Sequence, residues 1–431
     1  MRPEKRLEPS PQASTEAHNF AVLALHGVLV RVAWIFKTET VILPAFLDSI
    51  AGAGWLRGLL PVLNRTGQSI PVFLGSARLE QAQLKKRGLF WGTLLQGACF
   101  AGMAGAVLTL TDTAPQALAW VFLAIYTVFF SVTGVSNVLQ GTLQGKLVPA
   151  GRRGRLIAAS TFGGTVPAVL FAWWLLPGWL EREGGADFAS IFGFTAGGFA
   201  LAALLAPTLR EHAASSPPSH AGVAARLSDA LAILRNHRPY RRLVVSGALF
   251  NSSILLMPHY QALGRDRLGL GGVDLLFWVT AQHVALGMAS LVAGPLADRH
   301  GNRLALRVVS FGAAGVPLLA VALTHLELDL GRALFPLVFV GLGLTPIGLR
   351  ILTNYTLELN PPDEHPRYLA TGQVVWAAAF CLSPLVGGMI DEVGFDRVFL
   401  AASLAVSVGG VLTFGLTEPR ETGHPPSPRA P

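Results

Sequence analysis

Gly294-Pro295-Leu296-Ala297-Asp298-Arg299-His300-Gly301-Asn302-Arg303 lies between two long apolar segments and reads as a tight reversal between two helices. Gly294 and Gly301 allow close approach and a turn without a Cβ penalty. Asp298 brings a charge and an acceptor suited to a neighbouring helix N-terminus. Arg299 and Arg303 anchor the turn on one side of a membrane. The composition says that a membrane is there. Of 431 residues, 52% are hydrophobic and 13% charged, and the mean hydropathy is +0.50, far more apolar than a soluble domain of this length.

Working outward from that turn, twelve runs are long enough to cross about 30 Å of hydrocarbon. They fall at 20–47, 55–75, 88–110, 115–145, 155–180, 188–209, 241–262, 273–294, 303–324, 332–357, 367–390 and 395–417. Between the sixth and seventh, Ser215-Ser216-Pro217-Pro218-Ser219 opens a polar linker. The Ala224 to Leu234 stretch that follows suits a short amphipathic helix on the membrane surface. With the N-terminus inside, the inward turns hold 23 of the 33 Lys and Arg, and the outward turns hold only Arg57, Arg182, Arg265, Arg267, Arg332 and Arg397. The bias predicts that both chain ends are cytoplasmic. It also accounts for the net charge of +8 without nucleic acid, because the basic residues sit in short turns rather than along one face. Cys99 and Cys381 lie in separate apolar segments and predict no disulfide. The polar first eighteen residues predict no cleaved signal peptide.

The opening decapeptide resembles the G-x-L-a-D-r-x-G-r-[RK] signature of the major facilitator superfamily, twelve-helix secondary transporters. Further likenesses run along the chain. Lys146-Leu147-Val148-Pro149-Ala150-Gly151-Arg152-Arg153-Gly154-Arg155 after the fourth span and Leu359 to Arg367 after the tenth are both Pro-containing turns into an Arg-started helix. Ser383-Pro384-Leu385-Val386-Gly387-Gly388 is similar to the G-P-x-x-G-G stretch common in helix eleven of the superfamily. The resemblance covers about residues 20–417. It departs after the second span, where Gly75-Ser76-Ala77-Arg78-Leu79-Glu80 lacks the family's Asp and second Gly.

The resemblance implies an all-α membrane protein with twelve transmembrane helices in two pseudo-symmetric six-helix bundles, around a cavity lined by helices one, four, seven and ten. The expected division is a cytoplasmic tail 1–19, bundles 20–209 and 241–417 joined by the linker 210–240, and a tail 418–431. Gly294, Asp298, Arg299, Gly301 and Arg303 are the expected conformational latch, with Asp298 approaching the start of helix five between Arg152 and Leu156. The implied function is secondary active transport by alternating access, with a small solute and a proton or other coupling ion as partners. A monomeric, multi-pass protein of a bacterial inner membrane is expected, without enzymatic activity, cofactor, metal or nucleic acid.

Polar side chains inside spans locate the candidate site, because a central charge costs about 2.5–3.5 kcal/mol on insertion scales. The first span holds Arg31, Lys37 and Glu39; the second holds Asn64, Arg65 and Gln68. On a continuous helix, Arg31 and Glu39 are about 80° apart and share a broad face, whereas Lys37 points elsewhere. Glu39 is the one carboxylate placed well inside a span, and Arg57 and Arg65 are candidate partners. Three roles stay open for it: coupling or substrate binding, a static ion pair, or snorkelling to the interface. Asn137, Gln140 and Gln144 form a polar stripe on the fourth span, which either faces water or bonds another helix. Asn251 and His259 on helix seven, Gln282 and His283 on helix eight, and Arg350 and Asn354 on helix ten complete the candidates; the histidines lack metal-site spacing. Four intramembrane cations against one acid favour an anionic or carboxylate-bearing solute.

Other classes fare worse. An ATP-driven pump needs a G-x-x-x-x-G-K-[ST] loop, which the chain lacks. A membrane enzyme needs clustered Asp, His or metal ligands at one face. A drug or metabolite efflux transporter of the same fold, or a transporter-like receptor or scaffold, is the alternative that fold alone leaves open.

Overall fold

The computed structural model describes residues 11–81, 83–180, 186–213, 223–360 and 364–418. The first part runs α1 (Pro11–Ile35), α2 (Ile42–Ile50), α3 (Gly54–Gln81), α4 (Lys85–Leu110), α5 (Pro115–Leu147), α6 (Ala150–Leu180) and α7 (Ala186–Leu205). A connecting helix follows, α8 (Val223–Asn236). The second part runs α9 (Arg238–Phe250), α10 (Ser252–Leu255), α11 (Met257–Leu268), α12 (Asp274–Thr324), α13 (Leu328–Leu334), α14 (Pro336–Leu342), α15 (Thr345–Leu359), α16 (His365–Phe380), α17 (Ser383–Val393) and α18 (Phe395–Leu412).

Ten stretches among the described residues are long and apolar enough to cross a membrane, so the chain is a multi-pass membrane protein. Two further expected spans, 55–75 and 273–294, are helical. They lie in α3 and in α12 before Gly301, and their polar side chains face protein and a cavity rather than lipid. The decapeptide turn is here as foreseen: Gly301, at φ +85°, breaks the helical path of α12.

Four expected continuous spans are broken instead. The span 20–47 stops at Ile35, crosses Phe36 to Val41 without regular helix, and resumes as α2. Four consecutive polar residues, Lys37 to Thr40, fill that break, and the Thr38 hydroxyl accepts the Ile42 amide at 3.1 Å. The spans 241–262, 332–357 and 367–390 break at Asn251 and Leu256, at Phe335 and Gly343–Leu344, and at Cys381–Leu382. Pro258, Pro336, Pro346 and Pro384 each sit in the first turn of the helix that resumes. A proline there loses nothing, since its missing N–H had no intrahelical partner.

The packing distinguishes the two ends of the molecule. One apolar core joins Phe46, Phe100 and Phe129 of the first part to Tyr260, Trp278 and Phe399 of the second. Toward the other end the core divides into two clusters. One gathers Leu23, Leu89, Leu143 and Leu209; the other gathers Tyr240, Leu306, Leu352 and Leu416. This divided end carries Lys85, Lys86, Lys146 and Arg303 among the described basic residues.

Both parts finish that end with the same device. After a short 3-10 turn, Glu211 accepts the Lys85 and Lys86 amides at 3.1 and 2.9 Å, and Glu418 accepts the Arg303 amide at 3.2 Å. Lys86 donates to the Leu209 carbonyl, and Arg303 donates to the Leu416 carbonyl. Each carboxylate covers N–H groups that the start of a helix leaves open. Glu418, only 4% exposed, is thus packed structure rather than the start of a free tail.

Candidate functional site

A cavity of about 340 Å³ lies between the two parts, within the usual range for small-molecule sites. The broken first rod supplies Arg31, Trp34, Thr38, Glu39 and Thr40; α3 supplies Asn64, Arg65 and Gln68; α12 supplies Gln282 and His283; and α15 supplies Arg350. The breaks matter, because backbone leaves regular helix where it borders the cavity.

Glu39 is held on both oxygens. Lys37 donates to Oε1 at 2.8 Å, and Asn64 donates to Oε2. A polar chain continues from Gln68 to the Asn64 carbonyl oxygen and from Asn137 to the Gln68 carbonyl oxygen at 3.5 Å. Lys37 is fully buried, its ammonium 3.1 Å from the Trp34 ring centroid and 4.6 and 4.9 Å from those of Phe130 and Phe129. The rings' negative faces and one carboxylate replace its water. The expected pairing of Glu39 with Arg57 or Arg65 is therefore corrected. The helical-wheel angle that separated Lys37 from Glu39 assumed a continuous helix, and the chain turns between them.

The other cations on the cavity make no ion pair among the described residues. Arg31 donates to Thr165 at 3.4 Å and to His283 Nδ1 at 3.3 Å. A guanidinium only donates, so Nδ1 is the acceptor and the ring proton sits on Nε2, which is buried without a partner. Arg350 is close enough for its charge to act on Arg31. Among the described residues, neither Arg350 nor Arg65 makes an ion pair or hydrogen bond; Arg65 lies 5.1 Å from the Phe380 ring centroid. Thr40 donates to Gln282 Oε1 at 2.5 Å, which leaves the Gln282 amide hydrogens available.

Several expected residues sit elsewhere. Helix four gives the cavity Tyr126 rather than its polar stripe. Asn137 is exposed and Gln140 half-buried toward the divided end, and Asn354 is exposed one turn beyond Arg350. Asn251 borders a smaller pocket. His259 is buried at the joined end, accepting from Arg57 at 3.5 Å. The side chains of Asp298 and Arg299, and any Cβ contact at Gly294, lie outside the described residues; Gly301 and Arg303 lie against Glu418.

The joined end holds a charge cluster that the spans did not foresee. Asp48, its carboxylate sealed from solvent, pairs with Arg57 and, at 3.1 Å, with Arg265. Asp391 accepts the Gly54 amide with both oxygens, at 3.1 and 2.8 Å, and lies 4.0 Å from Arg57. These contacts tie α2 and α3 to α11 and α17. Gly58 packs its backbone against Ser383 and Pro384, where a Cβ would collide with the Ser383 carbonyl. Asp48 and Asp391 were one residue past the expected spans 20–47 and 367–390. An acid flanking an apolar run opposite an equally placed Arg57 was the available signal.

The family model described as Major Facilitator Superfamily matches residues 268–431. No curated protein matches the sequence. Among solved structures, a D-xylose-proton symporter aligns over 93% of this chain and 99% of its own, with TM-score 0.71 and 14% identity. A nucleoside transporter aligns over 93% and 100%, with TM-score 0.68 and 14% identity. The E. coli fucose:proton symporter aligns over 94% and 100%, with TM-score 0.60 and 15% identity. The chain thus carries the major facilitator fold along its length, and its C-terminal part, residues 268–431, matches the superfamily in sequence.

Proposed function

We propose that the chain is a secondary transporter, not an enzyme, that carries a small anionic or carboxylate-bearing solute by alternating access. The observation that carries this reading is the set of Arg31, Arg65 and Arg350 on one cavity with no acid paired to any of them. Like-charged guanidiniums around a void are costly until an anion enters, and planar acid groups match their donor geometry. Glu39, the one carboxylate among the described residues that line the cavity, is already engaged by Lys37 and Asn64.

The division into bundles 20–209 and 241–417 belongs to this reading, as does a latch formed by Asp298 and Arg299. In this reading the divided end, with its basic turns, is cytoplasmic, the cavity opens inward, and the Asp48–Arg57 end closes the outside. Glu39 is the coupling group in this scheme, since it alone joins the cavity to a buried ammonium. The solved structures of the same fold include a xylose symporter, a nucleoside transporter and one in complex with 5-aminolevulinic acid, so the charge of the solute is the property to test.

Purified protein should first be heated with panels of carboxylates, sugars, nucleosides and cations, because a ligand of the folded state raises its stability by mass action. The best carboxylate should then exchange across proteoliposomes, with Arg31→Gln and Arg350→Gln each lowering uptake at least tenfold. Protection and exchange by uncharged sugars or cations alone, indifferent to both arginines, would overturn the anionic reading.

A further inference from the structure

We infer that Arg65 serves two sites, and that the smaller pocket behind it is a second anion subsite on the path between the central cavity and the divided end. This rests on the anionic reading of the main cavity. The pocket measures about 60 Å³ and is bordered by Arg65, Ser69, Asn251, Gln373, Trp376 and Phe380. Ser69 lies one turn beyond Arg65 toward the Gln81 end of α3, and Gln373 is exposed, so the pocket opens the way the divided core opens.

Its chemistry is one-sided. Arg65 brings a guanidinium that makes no ion pair among the described residues, Glu39 acting on it only across the main cavity, and no carboxylate is among the described residues that line the smaller pocket. Asn251, 2% exposed, sits at the break between α9 and α10. Its side chain makes no hydrogen bond, and its Oδ1 is sealed from solvent without a partner. A buried amide in that condition is unsatisfied in the empty protein. The Trp376 indole N–H is spent on the Val244 carbonyl at 3.1 Å, so the tryptophan and Phe380 present carbon walls. Arg65, the Asn251 amide NH2 and the Ser69 hydroxyl are donors between apolar walls and suit a single acid group, whereas the sealed Asn251 Oδ1 is an acceptor and takes no part in holding it.

Size narrows the occupant. Measured alike, the pocket has about one-sixth the volume of the main cavity, 60 against 340 Å³, and more than one water needs. It is too small for a second solute of the kind the main cavity accommodates and large enough for one carboxylate or a small inorganic anion. Both sources share the same chemistry: a second acid group of the transported solute, or a free anion.

The test uses full-length protein in detergent, heated with chloride, phosphate, acetate or butanedioate. A probe too short to span both sites should protect the wild type in two steps, the first abolished by Arg31→Gln with Arg350→Gln and the second retained. Asn251→Asp supplies a carboxylate of the protein's own to Arg65. It should weaken the second step at least tenfold, the effect of losing one charge-assisted contact, and leave the first. Ser69→Val fills the pocket from the other side and should do the same if Asn251→Asp does not fold. A second step seen with chloride or phosphate alone assigns the site to a free anion. Butanedioate that spans both sites binds in one step, so protection at least tenfold tighter than by acetate, with the margin lost in Asn251→Asp, assigns the site to the solute's second acid group. Protection in a single step that needs Arg31 and Arg350 but ignores both pocket variants overturns the subsite and leaves the transport reading standing. No protection by any of the four probes overturns both.

Discussion

Each end of the molecule is fastened by an aspartate and an arginine, and the two pairs are not equivalent. At the joined end Asp48 meets Arg57 with both side chains almost wholly sealed, and Arg265 adds a second cation. At the divided end Asp229 of α8 meets Arg367 of α16 where both remain substantially exposed. The chemistry is the same and the solvent differs. A sealed pair, once broken, leaves a charge without water, at a cost of about 3–5 kcal/mol; an exposed pair rarely contributes more than about 1 kcal/mol. A transporter that opens one end at a time needs such fastenings to be conditional, so the joined end should be the one whose opening another event must assist.

Breaking the sealed pair should give the largest effect. Asp48→Asn keeps shape but leaves Arg57 and Arg265 facing an amide. The expected loss is several kcal/mol of stability in the state closed at this end, or a shift to the state open there. With the exposed Cys381 replaced, a Thr40→Cys probe should then become reactive to a membrane-impermeant thiol reagent added at that face. Unchanged melting and an unreactive probe would remove Asp48 from the closure. Gly58→Leu attacks the same end by volume, since any Cβ there meets Ser383 and Pro384. Overpacking of this kind costs about 1–3 kcal/mol, and it should raise labelling of the same probe while leaving the ion pairs intact.

Between the two ends sits Glu39, nine positions before Asp48 and in the opposite circumstance, with a quarter of its side chain open to the cavity. If it couples a proton, Glu39→Gln should keep solute exchange but reduce accumulation driven by a pH gradient at least tenfold. If it only holds Lys37 in its cage of Trp34, Phe129 and Phe130, the variant should melt lower and still couple. A variant with normal melting and normal accumulation excludes both roles.

The contrast between the ends also marks how far the sequence could be read. Arg31, Glu39, Asn64, Arg65, Gln282, His283 and Arg350 all reach the cavity, because a polar residue in an apolar run has few other places to go. Hydropathy located the rods and their order for the same reason. What it hid were partners. Arg31 meets His283 across 252 positions, and Thr40 meets Gln282 across 242, pairings that depend on how the two parts dock. The break after Ile35 was equally hidden, since Lys37 to Thr40 fit a helix and only their burial beside a cavity frees them from one. Asp48 was missed because an acid at the edge of an apolar run ordinarily belongs to water; here Arg57, Arg265 and the facing helices replace it.

The smallest effect should come from the exposed pair. The Arg367 guanidinium beside Asp229 holds its carboxyl below the ordinary 3.8. A depressed pKa gives stabilisation that is fully present above the ordinary value and disappears as pH falls through the lowered one. From pH 8 to pH 5 the pair should therefore contribute unchanged, and added salt should weaken it, since exposed charges are screened. Asp229→Asn should leave the melting temperature and the labelling of the joined end as they are, and raise amide exchange across Val223–Asn236 a few fold by loosening α8 from α16. The same variant should match the wild type once pH has fallen through the lowered value, where the wild-type aspartate is protonated. If exchange in α8 instead stays at wild-type rates at neutral pH, packing of Ala230 and Ile233, both nearly buried, is what holds the helix, and the two aspartate–arginine pairs differ even more than their exposure implies.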